Sequence, residues 1–84
     1  MDKFLEMKTF AAVVDSGSFV QAADALNISK PAVSRHVSEL EQRLGVRLLQ
    51  RTTRQLKLTA VGERYLRHCQ AMLLEAEMAD EAVA

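Results

Sequence analysis

The chain has little cysteine, little proline and few aromatic rings. It carries one Cys, one Pro, one Tyr, three Phe and no Trp in 84 residues. A lone cysteine makes no internal disulfide, so a small stapled secreted scaffold is excluded and a reducing compartment fits. One Cys and two His, with His68 beside Cys69 and His36 far off, do not match zinc spacing, and no metal site is expected. One Pro and three Gly suit helices better than a turn-rich sandwich. No apolar run approaches the ~18 residues of a membrane span, and the opening MDKFLEMK lacks the basic and apolar regions of a secretory signal. There is no Gly-rich phosphate loop. Ser34 and His36 point to different faces of one helix, and no nucleophile–base–acid set exists, so neither catalysis nor a cofactor is expected.

Net charge of one sign is also lacking, because 11 basic residues balance 11 acidic ones. The distribution is not even. Residues 1–29 carry −2 and residues 59–84 carry −3, whereas residues 30–58 carry +5. The basic block holds Lys30, Arg35, Arg43, Arg47, Arg51, Arg54 and Lys57. A polyanion approaching the molecule responds to this local field rather than to the total.

What is present is a hydrophobic fraction of 49% arranged at helical spacing. Eighty-four residues make one small domain with a modest core, whose stability a partner subunit would raise. Met7, Phe10, Val13 and Val14 stripe a first helix over 2–15, stopped by Asp15-Ser16-Gly17. Ser18 caps a second helix, and Gln21 three residues on completes a capping box. Phe19, Ala22, Ala23 and Leu26 face inward, and the small pair allows a neighbouring helix close. Asn27-Ile28 makes the turn. Ser29 caps a third helix, Pro31 sits in its first turn, and Gly45 ends it.

The third helix has two opposed faces. Val33, Val37, Leu40 and Leu44 form the packed side. Pro31, Arg35, Ser38 and Gln42 form the other, with Lys30 and Ser34 at its border. Short hydroxyls, amides and a cation on an exposed helix are the groups that read base edges in a major groove. Arg35, near the centre, can fork onto a guanine, with phosphate contact or plain solvation as its alternative roles. Lys30 suits a phosphate, Ser34 a base edge or a phosphate. Pro31 can touch a thymine methyl, and Ser29 caps the helix whatever else it does.

Beyond Gly45, Leu48, Leu49, Leu56 and Leu58 flank a polar centre of Arg51, Thr52, Thr53 and Arg54, which suggests a two-stranded hairpin with a basic tip. Arg43 and Arg47 are expected to pair with Glu39 and nearby acids. Thr59 caps a last helix in which Val61, Tyr65, Cys69, Met72, Ala76, Ala79 and Val83 recur at three- and four-residue steps. This stripe is longer than so small a domain can cover, and the same helix of a second subunit is its simplest cover. The ending ADEAVA carries no stop signal and suggests a fragment cut within or just after a helix.

Helix, helix, turn, helix, basic hairpin and long helix is a mainly α, winged helix-turn-helix plan. The chain resembles the DNA-binding domain of LysR-type transcriptional regulators through Phe10, Ser18-Phe19, Ala22-Ala23, Leu26, Ser29, Pro31-Ala32-Val33-Ser34, Leu40-Glu41, Leu44-Gly45, Leu48, Arg51, Arg54, Leu58-Thr59 and Gly62. Leu49 stands where the family often has Phe. Gln55 stands where a second Arg is common, which implies a looser hold on phosphate.

The resemblance implies a bacterial, cytoplasmic regulator that binds double-stranded DNA as a homodimer on an interrupted inverted repeat, and that often builds to a tetramer at full length. It implies a small-molecule effector bound by a further C-terminal portion, with no cofactor in this domain and no membrane partner. Residues 1–58 would be the DNA-binding domain and 59–84 the linker and dimerisation helix. Ser29, Lys30, Pro31, Ser34 and Arg35 would enter the major groove, with Ser38 beside them. Arg51, Thr52, Thr53 and Arg54 would form the wing contacts, Arg54 in the minor groove. Val61, Tyr65, Cys69, Met72, Leu73 and Ala76 would line the dimer seam. The alternative is a winged-helix protein–protein module, which would show an apolar patch on the third helix and lose the basic wing.

Overall fold

Local capping fixes where each helix begins. In the computed structural model, which describes residues 2–52 and 55–84, α1 spans Lys3–Ser16, α2 Phe19–Leu26, α3 Lys30–Leu44 and α4 Ala60–Val83. Asp2, Ser18, Ser29 and Thr59 each turn a side-chain oxygen onto the backbone N–H three residues on, at 3.1, 3.1, 3.2 and 2.9 Å. Each cap satisfies one of the amides that a helix start leaves unpaired. α1 therefore begins one residue later than its apolar stripe suggests, because Asp2 serves as the cap. Gly17, Asn27 and Gly45 end the first three helices with φ of 74°, 58° and 70°, and Asn27 is among the few side chains that tolerate this region.

Between α3 and α4 the chain makes an antiparallel hairpin of β1, Leu49–Arg51, and β2, Leu56–Leu58. Leu49 lies opposite Leu58, Gln50 opposite Lys57 and Arg51 opposite Leu56. Alternation puts Leu49 and the two leucines of β2 on the inner side, and Gln50 and Lys57 outside. This is the winged helix-turn-helix expected from the pattern of elements.

The core draws on every layer. Phe10 and Val13 come from α1, Ala22 and Ala23 from α2, Val33, Val37 and Leu40 from α3, Leu48 and Leu49 from the wing root, and Cys69 from α4. The alanines let α2 pack closely between α1 and α3. Phe10 and Tyr65 meet with ring centroids 5.9 Å apart and tilted planes, a favoured aromatic geometry. Burying each large side chain contributes about 1.5–3 kcal/mol.

The core does not stop at residue 58. Gly62 and Cys69 are buried, and Val61, Tyr65 and Leu66 pack against the core from the first turns of α4. Val61, Tyr65 and Cys69 were expected on a seam between subunits. Cys69 lies wholly in this chain's own core, and Val61 and Tyr65 are half-buried against it, as the first half of α4 packs on α1. Cys69 has no exposed surface at all. The unpartnered apolar residues sit further along. Met72, Leu73 and Ala76 are half-buried, whereas Leu74, Met78 and Val83 are 57%, 52% and 87% exposed.

Two polar residues are also inside. Glu6 is 1% exposed, and its Oε1 accepts from Arg43 Nε and Nη2 at 3.2 and 3.0 Å. Arg43 of α3 was expected to pair with Glu39 or another nearby acid, and pairs instead with an acid of α1. Glu39, one turn before Arg43 on the same side of α3, lies against Arg35 instead, while the buried Glu6 carboxylate accepts two hydrogen bonds from Arg43. Thr9, one turn beyond Glu6, is likewise buried. Among the described residues no helix is long and apolar enough to cross a membrane, and no group of His, Cys, Asp or Glu is arranged to hold a metal ion.

Candidate nucleic-acid interface

The outer face of α3 is polar along its whole length. Lys30, Pro31, Arg35, Ser38 and Gln42 are exposed, and Ser34 is half-buried at the border. Val33, Val37 and Leu40 on the opposite face are fully buried. That contrast holds α3 against the core while leaving five side chains free to meet a ligand. Ser29 stands at the start of this face, where its Oγ accepts from the Ala32 N–H and its own O–H remains available to donate.

Arg35 is the most prominent of these groups, with a side chain 62% exposed. Its Nε lies 3.7 Å from Glu39 Oε1 one turn on. The pair is open to solvent, so it contributes little stability. Its effect is on Arg35 itself, which is lightly tethered by an acid in the free protein.

From α3 a surface of mixed polar and apolar residues leads to the wing. One shallow depression is lined by Ser38, Glu41, Gln42, Gly45, Val46 and Arg47. A second, lined by Arg47, Gln50 and Arg51, shares Arg47 with the first. A third shares Arg51 with the second and runs to Gly17, Ser18, Phe19, Thr52 and Gln55. Arg47 and Arg51 thus stand along a path from the later turns of α3 to the start of α2, and Arg35 lies on α3 ahead of it.

At the wing, Thr52 closes the turn. Its backbone N–H and hydroxyl donate to the Gln55 carbonyl at 3.0 and 3.1 Å, and its Oγ1 accepts from the Gln55 N–H at 2.9 Å. Thr52 is thus committed to shaping the tip. Thr53 and Arg54, the other two expected tip contacts, lie outside the described residues. Arg51 places its guanidinium carbon 4.6 Å from the centre of the Phe19 ring.

Three positions matter more than the sequence suggested. Glu41 Oε2 accepts from the backbone N–H groups of both Leu48 and Leu49, at 2.8 and 3.1 Å. On the other side of the same segment, the Leu48 carbonyl accepts from the Thr59 N–H at 3.0 Å, and the Thr59 hydroxyl donates to the Arg47 carbonyl at 2.7 Å. The root of the wing is held by α3 from one side and by the cap of α4 from the other. Gly62 completes the arrangement, since a Cβ there would strike the Leu48 carbonyl. An acid on the inner border of a helix, followed by a chain reversal whose amides need acceptors, was the available signal for Glu41.

Burial pushes the Cys69 thiol up to about 11. Burial also raises the Tyr65 phenol, against the opposing pull of a hydrogen bond with Arg43. The Arg43 guanidinium is held more firmly in its charged form, first of all by its hydrogen bonds to Glu6. Tyr65 and Cys69 pack into the core, Arg43 bonds to Glu6 at its edge, and none of the three lines these depressions.

A family model described as bacterial regulatory helix-turn-helix protein, lysR family, matches residues 4–63. An HTH-type transcriptional repressor of Pseudomonas aeruginosa (strain UCBPP-PA14) is 54% identical over 77 residues, covering 92% of this chain and 24% of the relative. The chain spans about a quarter of the length of the curated relatives it matches. Among solved structures, the DNA-binding domain of BenM in complex with catB site 1 DNA superposes with a TM-score of 0.90 at 32% identity, covering 96% of this chain and 91% of that one. Oxidised OxyR of Corynebacterium glutamicum superposes with a TM-score of 0.91 at 31% identity, covering all of this chain and 27% of that one.

Proposed function

The chain belongs to the lysR family of bacterial regulatory helix-turn-helix proteins, and on that premise we propose that it binds double-stranded DNA sequence-specifically as part of a transcriptional regulator. The carrying observation is the set of exposed polar side chains on the outer face of α3, followed by Arg47 and Arg51 toward the wing. Solved neighbours that are complexes with DNA support this use of the fold. α3 enters the major groove, where each base pair shows its own pattern of donors, acceptors and methyl groups. Ser29, Lys30, Pro31, Ser34, Arg35 and Ser38 face the DNA there. Arg35 reads a base, and Lys30 holds a phosphate. Arg51 and Thr52 approach the backbone, and Arg54 enters the minor groove, whose negative potential draws arginine.

The protein works as a cytoplasmic homodimer on an interrupted inverted repeat, since two-fold protein symmetry calls for two-fold operator symmetry. The distal half of α4 supplies the pairing surface through Met72, Leu73 and Ala76, with exposed Leu74 and Met78 beside them. Residues 59–84 then serve as a linker as well as closing the core of residues 1–58. A longer parent protein carries a small-molecule effector site outside this chain and can assemble to a tetramer. The role is binding rather than catalysis. The competing protein–protein module predicts an apolar patch on α3. Instead, among the described residues the large exposed apolar ones are Phe4, Val20, Val46, Leu74, Met78 and Val83, none of them within α3.

The test is selection from random duplexes at near-physiological salt, followed by sequencing. Recovery of an interrupted inverted repeat is the expected result. Absence of binding even at low salt would overturn the proposal and favour the protein-interaction module.

A further inference from the structure

We propose that Phe19 is a positioning residue for DNA: its ring carries the Arg51 guanidinium, so that Arg51 meets a phosphate already oriented. The inference rests on the DNA-binding role proposed above and adds to it a residue whose own side chain need not touch DNA.

Phe19 opens α2 and is half-buried, packed against the core. Its ring is therefore a fixed platform. Arg51 closes β1 and is exposed, with its backbone fixed by pairing to Leu56. The guanidinium carbon lies 4.6 Å from the ring centre, well within the range of a cation–π contact. Among the described residues Arg51 makes no ion pair with an acid, unlike Arg35 and Arg43. That difference decides what the contact can do. An ion pair would occupy the N–H donors of the guanidinium and cancel its charge. Stacking on a ring uses the flat face and leaves the five N–H groups and the full charge at the edges. The rotamer freedom of a long side chain is then largely lost before DNA arrives, which removes part of the cost of binding. Phe19 and Arg51 also share the depression that joins the start of α2 to the wing tip. One contact thus sets the wing against the helix-turn-helix and aims a cation outward.

The experiment is a double-mutant cycle on the whole chain. It measures affinity for a fluorescent random-sequence duplex across a salt series. Phe19→Leu should weaken binding by about 2- to 5-fold, the range for an exposed cation–π contact. Arg51→Gln should weaken it further and reduce the log–log salt slope by about 0.9, one phosphate's worth. In the Arg51→Gln background, Phe19→Leu should have no further effect, and Phe19→Trp in the wild-type background should bind as wild type does. A purely structural role for Phe19 would instead give the same loss in both backgrounds, and that result overturns the inference. So does full affinity in folded Phe19→Leu, or in Arg51→Gln. Should Phe19→Leu fail to fold, the wild-type protein decides. Ring-current shifts on the Arg51 Cδ protons support the contact, and ordinary positions for those protons overturn it. Failure of the unmodified chain to bind any duplex would show at the first titration and would overturn the DNA-binding proposal itself.

Discussion

Arg35 and Glu39 show how a single side chain on α3 can be tuned. Arg35 is largely exposed and one turn from an acid at 3.7 Å. On the proposed reading, a guanine would compete for the same donors with two acceptors in a fixed plane, a contact that discriminates between bases by about 1–3 kcal/mol. Arg35→Ala should therefore flatten sequence preference more than it weakens binding to random duplex, checked by comparing selected with scrambled sites. Glu39→Gln should act oppositely. It removes an anion from the face that meets a polyanion, so affinity for random duplex should rise a few-fold at low salt, with the gain fading as salt screens it. Cys69 behaves differently because it is sealed inside the core. Its thiol should resist alkylation in the native protein and react once the chain is unfolded. Its folded pKa of about 11 exceeds the ordinary value of 9.0. The unfolded chain therefore loses the proton first, and stability falls as pH rises from about 9 to about 11. Replacing Cys69 with Ala should remove that part of the alkaline loss, as read by melting temperature against pH.

Elements differ in how openly the sequence announces them. The starts of α2, α3 and α4 were legible because Ser18, Ser29 and Thr59 act on amides three residues away. The packed and open faces of α3 were legible for the same reason, since helical spacing is a local property. The hairpin followed from its flanking leucines and polar centre. What was not legible depends on residues brought together by folding. Glu6 and Arg43 are 37 positions apart, so nothing local distinguishes their pairing from the alternatives with Glu39. The apolar stripe of α4 is covered by this chain only over its first half, and helical spacing alone does not tell where that cover stops. Of the seam residues, Cys69 is sealed in the core, Tyr65 meets Phe10 of α1, and Val61 packs against the core. Gly62 was legible only as part of the family resemblance, and the structure supplies the cause, an approach to Leu48 too close for a Cβ. Gly62→Ala should accordingly destabilise the fold by about 1–3 kcal/mol, as overpacking does, against the slight gain that Gly→Ala gives in an open helix. A thermal melt separates the two. Glu41→Ala should also lower the melting temperature, because two backbone amides at the buried root of the wing lose their acceptor.

At the scale of the whole molecule, charge and shape are both unevenly distributed. The +5 block of residues 30–58 sits between two acidic flanks, so the protein has a face for a polyanion despite a net charge of zero. Its extents of 44 × 25 × 24 Å record a rounded body with α4 reaching beyond it. Ending the chain after residue 73 should keep the core, including Cys69, yet remove Leu74 and Met78 and abolish pairing. Sedimentation analysis would read the change in mass, and circular dichroism would confirm that the fold survives. The short segment at residues 47–49 carries one more consequence. It is bonded to α3 through Glu41 and to the cap of α4 through Thr59. α3 and α4 are thereby keyed together through this segment like two arms of a set square. If two copies pair along α4, the crossing angle of that pair becomes a ruler for the gap between half-sites. A signal arriving from elsewhere in a longer protein could then change which operators fit simply by swinging one whole square against the other, while every base-reading side chain kept its own geometry.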